Sequence, residues 1–381
     1  MNTHVYFDHN ATTALNSEVF EAMLPFMGSQ NNASSRHAFG RVAKNAIDTA
    51  REQVANSVGA HPSQIVFTAS GTEANNFAVN GICANSFDKN IVISSIEHPC
   101  VTRPALALKK QGFTVQQVLP NVQGVIEKSA LNAILNNETA LVSVMLANNE
   151  TGAIQPIADL AEIAKKHGTL MHTDAVQALG KIAVNFADLN VNAMTISSHK
   201  IGGPQGAGAL VLDKRVDIHP LLLGGGQEKG LRSGTENVAA IVGFGRACEL
   251  AVANLKNYAN HTSQLRNQLE AELAKTGVVI FGANATRLPN TSFFGFEHIE
   301  GETLVMALDR KGFAVASGSA CSSDSTEPSH VLLSMGVTAD LARGAIRVSF
   351  NESNTAEQVA RFVVVLEQEL KRLKQMVALA A

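Results

Sequence analysis

The sequence is poor in paired cysteines, in surplus basic charge and in long apolar runs, and each shortage removes a class of protein. Four cysteines are scattered over 381 residues, at Cys83, Cys100, Cys248 and Cys321. None falls in a CxxC pair, so neither a disulfide framework nor a zinc site is indicated, and a reducing environment is expected. The 30 basic residues stand against 33 acidic ones, a formal charge of −3, without the excess that nucleic acid or an anionic membrane would select. No stretch approaches the ~20 apolar residues of a membrane span. The opening MNTHVYFDHNATT has no basic segment followed by an apolar one, so a cytoplasmic protein is expected. Also missing are a GxxxxGK[ST] phosphate loop, a GxGxxG dinucleotide fingerprint, internal repeats and low-complexity tracts. Small molecules or proteins are the expected partners.

What remains is a chain long enough to bury a sizeable core, 45% apolar, and longer than one ordinary domain. Between about residues 60 and 215, short runs rich in β-branched residues alternate with stretches of helical period: QIVFT, NIVISS, FTVQQV, ALVSVML, TLMHTD, AMTISS and GALVLD. That alternation predicts a mostly parallel sheet covered on both faces, with ligand groups in the loops beyond the strand ends. A long helical stretch over residues 238–275 leads to a second domain. The chain ends in a helix announced by a capping-box pattern, Thr355 and Gln358, and by Val359, Phe362, Val363, Leu366, Leu370 and Leu373 at three- and four-residue spacing.

The segment ISSHKIGGPQGAGALVL holds one lysine, Lys200, after a predicted strand. A strand-end lysine is ordinarily a solvated charge, but its company is unusual. SGTEANN, residues 70–76, follows the strand QIVFT and opens a helix, which offers free backbone N–H groups, a hydroxyl and the positive end of a helix dipole to an anion; a plain helix cap is the alternative. Asp174, just past TLMH, is either an N-cap or a carboxylate placed to keep the pyridine nitrogen of pyridoxal phosphate protonated, so that the ring acts as an electron sink. Lys200 would then be the Schiff-base amine. His98 in SSIEHPC could stack on the ring and Asn149 in ANNETG could bond its phenolic oxygen, although either could be a satisfied loop residue.

Cys321 differs from the other cysteines. It stands in ASGSACSSDSTEPSH, where its neighbours are too small and polar to pack, and a thiol in an exposed, mobile loop is an oxidation liability unless it is used. Cys83, Cys100 and Cys248 lie in apolar or helical contexts and are expected to behave as small buried hydrophobes.

Taken together, YFDHNATT, NNASSRHAFG, TASGTEANN, EHP, NNETG, HTDAVQ, SSHK, GGGQEKGLRSGTEN, SGSACSS and IRVSF resemble, in order and over essentially the whole chain, the group I cysteine desulfurases. These form the NifS/IscS-like branch of the class V pyridoxal-phosphate-dependent aminotransferases. The resemblance implies an α/β fold of the fold type I kind: a mostly parallel central sheet in a large domain over residues 16–255, with a smaller α/β domain built from residues 1–15 and 256–381. It implies that Lys200 is the Schiff-base lysine, Asp174 the pyridinium partner and His98 the stacking residue. Gln177 and Asn149 would hold the phenolic oxygen. Gly71, Thr72, Ser197 and His199 would hold the phosphate, together with Thr235 from the second subunit of a homodimer. Arg347, with Asn10 and Asn149 near it, would clamp the carboxylate of L-cysteine, since a guanidinium matches a carboxylate bidentately. Cys321 would accept the sulfur as a persulfide and pass it to an acceptor or iron–sulfur scaffold protein. No metal is implied.

Several positions depart from the family pattern: Ala14 where a proline often follows ATT, Gly202 and Gln205 in place of an aromatic residue and a lysine, and Asn351-Glu352 in place of Gly-Arg. None removes a chemical role; they bear on the subfamily and on the sulfur acceptor. A selenocysteine lyase, another class V aminotransferase and a non-catalytic scaffold of the same fold are the alternatives. Lys200, Asp174 and Cys321 together speak against the last.

Overall fold

The computed structural model describes residues 4–318 and 327–380. After a short strand β1 (Val5–Tyr6) and two helices, α1 (Ser17–Met27) and α2 (Ala38–Ser57), the chain enters its main sheet. The strands are β2 (Ile65–Thr68), β3 (Asn90–Ser94), β4 (Thr114–Val118), β5 (Thr139–Ser143), β6 (Leu170–Asp174), β7 (Ala193–Ser197) and β8 (Gly208–Leu212). They lie in the order β2-β8-β7-β6-β5-β3-β4. Only β8 runs antiparallel to its neighbours; the other pairings are parallel. Each of the seven β-branched runs in the sequence forms one of these strands.

Strand side chains alternate between faces, and here both faces are buried. Ile65 and Phe67 of β2 and Met194 and Ile196 of β7 pack with Ala43, Ile47 and Val54 of α2 and with Ile241 and Phe244. Val66, Ile91, Ile93 and Leu210 point the other way, against Phe77, Ile82 and Val101 of α3 (Gly71–Ala84) and α4 (Pro99–Ala107). A sheet covered on both faces reads as continuous apolar strands without a polar alternation, as IVFT and NIVIS do.

The remaining strands are short or antiparallel. They are β9 (Val279–Ile280), β10 (Thr291–Gly295), β11 (Phe313–Ala314), β12 (Ala316–Ser317) and β13 (Ala345–Ser349). Four of them form a sheet in the order β12-β13-β10-β9, while β11 pairs in parallel with β1. Phe294, Ile346 and Val348 pack there against Val359, Phe362, Leu366 and Leu370 of the final helix, Ala356–Ala380. The capping box that begins this helix is closed in both directions. Gln358 N donates to Thr355 Oγ1 at 3.3 Å and Thr355 N to Gln358 Oε1 at 3.0 Å.

The stretch expected to be one long helix is two, Val238–Ala253 and Leu255–Leu273, bent by 69°. The break falls at Asn254, whose backbone is non-helical (φ −97°, ψ 0°). Among the described residues no single helix is long and apolar enough to cross a membrane.

Candidate active site

The carboxyl ends of β2, β3, β5, β6 and β7 and the loops that follow them surround one cavity of about 270 Å³. Parallel strands present their following loops on one side of the sheet, which is why residues from distant parts of the sequence meet there. Of the candidate residues, Gly71, Thr72, His98, Asn149, Asp174, Gln177, Ser197, His199 and Lys200 line the cavity. Asn10 and Arg347 are not among the lining residues, but each bonds to one that is, Asn10 O accepting from Lys200 Nζ and Arg347 Nη1 donating to Asn149 O. Thr235 is exposed and is not among the lining residues of its own chain. Cys321 lies outside the described residues; in sequence it follows β12.

Lys200 ends a short turn after β7, and the N-terminal segment is laid across it. Its Nζ donates to the backbone oxygens of Asn10 (2.6 Å) and Ala11 (2.7 Å). Thr13 pins the turn, its Oγ1 donating to His199 O at 2.9 Å and accepting Gly202 N–H at 2.8 Å. Gly202 is left-handed, with φ +78°, a conformation glycine adopts without strain, so the departure from an aromatic residue here suits the local backbone.

Asp174 is buried at the end of β6. Its Oδ1 accepts Val176 N–H at 2.9 Å and its Oδ2 accepts Asn75 Nδ2 at 2.6 Å. It therefore makes the local cap expected of a strand-end aspartate and also turns a second oxygen to the cavity wall. Burial raises its pKa above the ordinary value, and a cation brought beside it would stabilise the carboxylate.

At the opening of α3, Ser70 caps its own helix: its Oγ accepts Glu73 N–H at 3.1 Å, while Glu73 Oε2 accepts Ala69 N–H at 3.0 Å. Next to it, Ser197 Oγ is buried without a hydrogen-bond partner. A β-carbon at Gly71 would come within 3.0 Å of Val176 and 3.3 Å of Ser197 Cβ, so glycine permits the helix terminus to sit against β7. An orphaned hydroxyl beside a helix N-terminus fits a phosphate, and Asp174 across the cavity fits a pyridinium. The residues present thus fit pyridoxal phosphate. Among the described residues no cluster of three or more His, Cys, Asp or Glu is placed to hold a metal ion.

Arg347 is buried on β13 and turned away from the Ile346 and Val348 face. It donates from Nη1 to Asn149 O (2.9 Å) and from Nη2 to Asp8 Oδ1 (2.6 Å), while Nε is unpaired. The loop bearing Thr235 is tied to α3 through Arg232, whose Nε lies 2.7 Å from Glu73 Oε1.

The family Aminotransferase class-V matches residues 5–362. The chain belongs to the class-V aminotransferases. Cysteine desulfurase IscS of Dictyoglomus turgidum is 42% identical over 379 residues, covering 98% of this chain and 96% of the relative. A solved NifS-like protein superposes with a TM-score of 0.91 at 39% identity, covering 97% of this chain and 99% of that one. A structure titled SspA in complex with cysteine superposes with a TM-score of 0.80 at 32% identity, covering 92% and 99%. This class-V chain therefore has the expected fold, shared with its relatives along almost its full length.

Four residues of the class-V site were not singled out from the sequence. Asp8 pairs with Arg347, Asn75 with Asp174, Lys181 with Asn10 and Gln177, and Cys100 with His98. Cys100 also departs from expectation. It is only half-buried and lines the cavity among polar partners, because it sits in the first turn of α4 at the cavity rim and not deeper in that helix. Lys181 had a readable signal in retrospect, a lone lysine within QALGKIAV.

Proposed function

We propose that this chain is a cysteine desulfurase that converts L-cysteine to L-alanine and carries the sulfur as a persulfide on Cys321. The observation that supports it most is the placing of one amine, Lys200, and one buried carboxylate, Asp174, in a single cavity beside a helix N-terminus. Pyridoxal phosphate held there would supply an electron sink for the α-carbon of the substrate. Thr72, Ser197 and His199 would hold its phosphate, Asp174 its ring nitrogen, and Gln177 and Asn149 its phenolic oxygen, with His98 over the ring.

Each residue then has a task of its own. Arg347, fixed between Asp8 and Asn149 O, holds the substrate carboxylate near Asn10. Lys200 takes the α-proton and later gives it back to the α-carbon, while the electron sink that pyridoxal phosphate would supply is what makes the substrate sulfur a leaving group. The Cys321 thiolate attacks that sulfur: an S–S bond forms, the C–S bond breaks, and its electron pair stays with the carbon skeleton, which takes up a proton and leaves as alanine. A second protein then removes the sulfur, as the small, polar neighbours of Cys321 in the sequence would allow.

The same reading makes the working unit a homodimer in the cytoplasm, each Thr235 completing the phosphate site of the other subunit, and an acceptor or iron–sulfur scaffold protein the destination of the sulfur. It keeps residues 16–255 as the large domain and 1–15 with 256–381 as the small one. The purified protein loaded with pyridoxal phosphate should release sulfide and alanine from cysteine in equal amounts. Transamination without sulfide would overturn the proposal.

A further inference from the structure

Cys100 takes the second position of α4, whose N-cap is His98, so its backbone and its thiol both reach the same imidazole nitrogen. The N–H of Cys100 lies 3.2 Å from His98 Nδ1 and its Sγ lies 2.8 Å from that atom. A ring nitrogen that accepts a backbone N–H presents its lone pair, so the neutral ring carries its proton on Nε2 and the thiol meets Nδ1 as a donor. On its other side the sulfur accepts. Asn75 Nδ2 is 3.0 Å from Sγ, and the same amide nitrogen is 2.6 Å from Asp174 Oδ2. An amide nitrogen has two hydrogens, one for each of these acceptors, and Asn75 is fully buried. A continuous path of hydrogen bonds thus runs from Asp174 through Asn75 and Cys100 to His98.

We infer that Cys100 is a positioning residue that fixes the Nε2–H tautomer of His98 and, through Asn75, ties that ring to Asp174. The inference rests on the proposed reaction only where turnover is concerned; the tautomer is a property of the chain itself. Burial raises the Cys100 thiol far above its ordinary range, and the Asp174 charge acts the same way, so the group stays an S–H donor. The His98 ring is itself pushed toward neutrality by burial. Facing it are Asp174 from β6, which opposes that shift, and Lys200, His330 and Arg103, which add to it. Replacing the thiol changes none of these charges. Its effect on His98 therefore isolates the hydrogen bond.

The test follows the imidazole directly by NMR of the full-length protein labelled with 15N in its histidines, with and without pyridoxal phosphate. In the wild type, His98 should show an acceptor-type Nδ1 and a protonated Nε2. Cys100→Ala should raise the His98 pKa by about 0.5 unit, the worth of a modest hydrogen bond to the neutral ring. Cys100→Ser, which keeps a donor at the same place, should hold the pKa and tautomer near those of the wild type. In the loaded enzyme the acid limb of the rate profile should move with His98 in Cys100→Ala and stay in Cys100→Ser. A proton on Nδ1 in the wild type, or a His98 pKa equal in all three proteins, would overturn the inference, since a packing role alone makes serine and alanine alike. A wild type without desulfurase activity would defeat the proposed reaction and leave the NMR result standing.

Discussion

Replacing Lys181 with methionine should change how stability responds to pH. Lys181 is 2% exposed. Its Nζ donates to Asn10 Oδ1 and Gln177 Oε1, both at 2.7 Å, and among the described residues no ion pair joins it. Burial, with the Lys200 and Arg347 charges adding to it, holds its pKa well below the ordinary 10.5. The sign follows from proton counting. Between the folded value and 10.5 the unfolded chain binds one proton more than the folded chain, so Lys181 makes stability climb with pH across that window. The climb reaches about 1.4 kcal/mol per pH unit where the difference is a whole proton. Buried thiols act in the opposite direction, because burial raises Cys83 and Cys248 to about 12, but both proteins contain them. The advantage of wild type over Lys181→Met in urea unfolding should therefore grow by up to about 1.4 kcal/mol between about pH 8 and about pH 9. At fixed pH the variant also leaves Gln177 Oε1 without its Lys181 donor, worth roughly 1–3 kcal/mol, while Asn10 Oδ1 keeps the Nδ2 donor of Asn290 at 3.1 Å; the loss is partly offset because a methionine needs no desolvation. Unfolding curves that stay parallel from pH 7 to about pH 9 would refute the reasoning.

Lys200→Ala should lower turnover by roughly 100-fold or more, and borohydride should leave no pyridoxyl group covalently attached to the chain; a reducible lysine in this variant would place the base elsewhere. Asp174→Ala should damage cofactor absorption and turnover far more than stability, since a lost cap costs about 1 kcal/mol; a normal rate with a lowered melting temperature would reduce Asp174 to a cap. Glu97, fully buried, accepts Met145 N–H at 2.7 Å and is pushed by burial up to about 8. The folded chain keeps that proton while the unfolded chain loses it, so stability from this group falls as pH rises from about 4.5 to about 8. Glu97→Gln should flatten that fall, by an amount of order 1 kcal/mol per pH unit, in denaturation measured across the window.

Patterns local in the chain were legible and contacts across it were not. The seven strands of the main sheet could be read because each is a short β-branched run bounded by polar residues, and the final helix because its cap and apolar face lie within one stretch. The break at Asn254 could not, since the residues around it keep helical propensity on both sides. In the cavity, Lys200, Asp174, His98 and the 70–76 turn each follow a strand, so their convergence follows from the parallel sheet. Asn75, Cys100, Asp8 and Lys181 each have a partner 25 to 339 residues away, Cys100 and Lys181 besides a near one in His98 and Gln177, and it is the distant partner that gives each its place in the site. The tertiary fold alone creates those pairings. Ser70 illustrates the converse: it belongs to the phosphate-like motif in sequence, yet its hydroxyl is spent on its own helix.

The account turns on where the sulfur goes. Mass spectrometry of the wild-type protein, loaded with pyridoxal phosphate and exposed briefly to cysteine, tests this most directly. One extra sulfur should appear on the peptide containing Cys321, and none on those containing Cys83, Cys100 or Cys248. A persulfide on one of those three, or turnover in Cys321→Ala equal to that of the wild type, would contradict the mechanism while leaving the fold and the cofactor cavity as described.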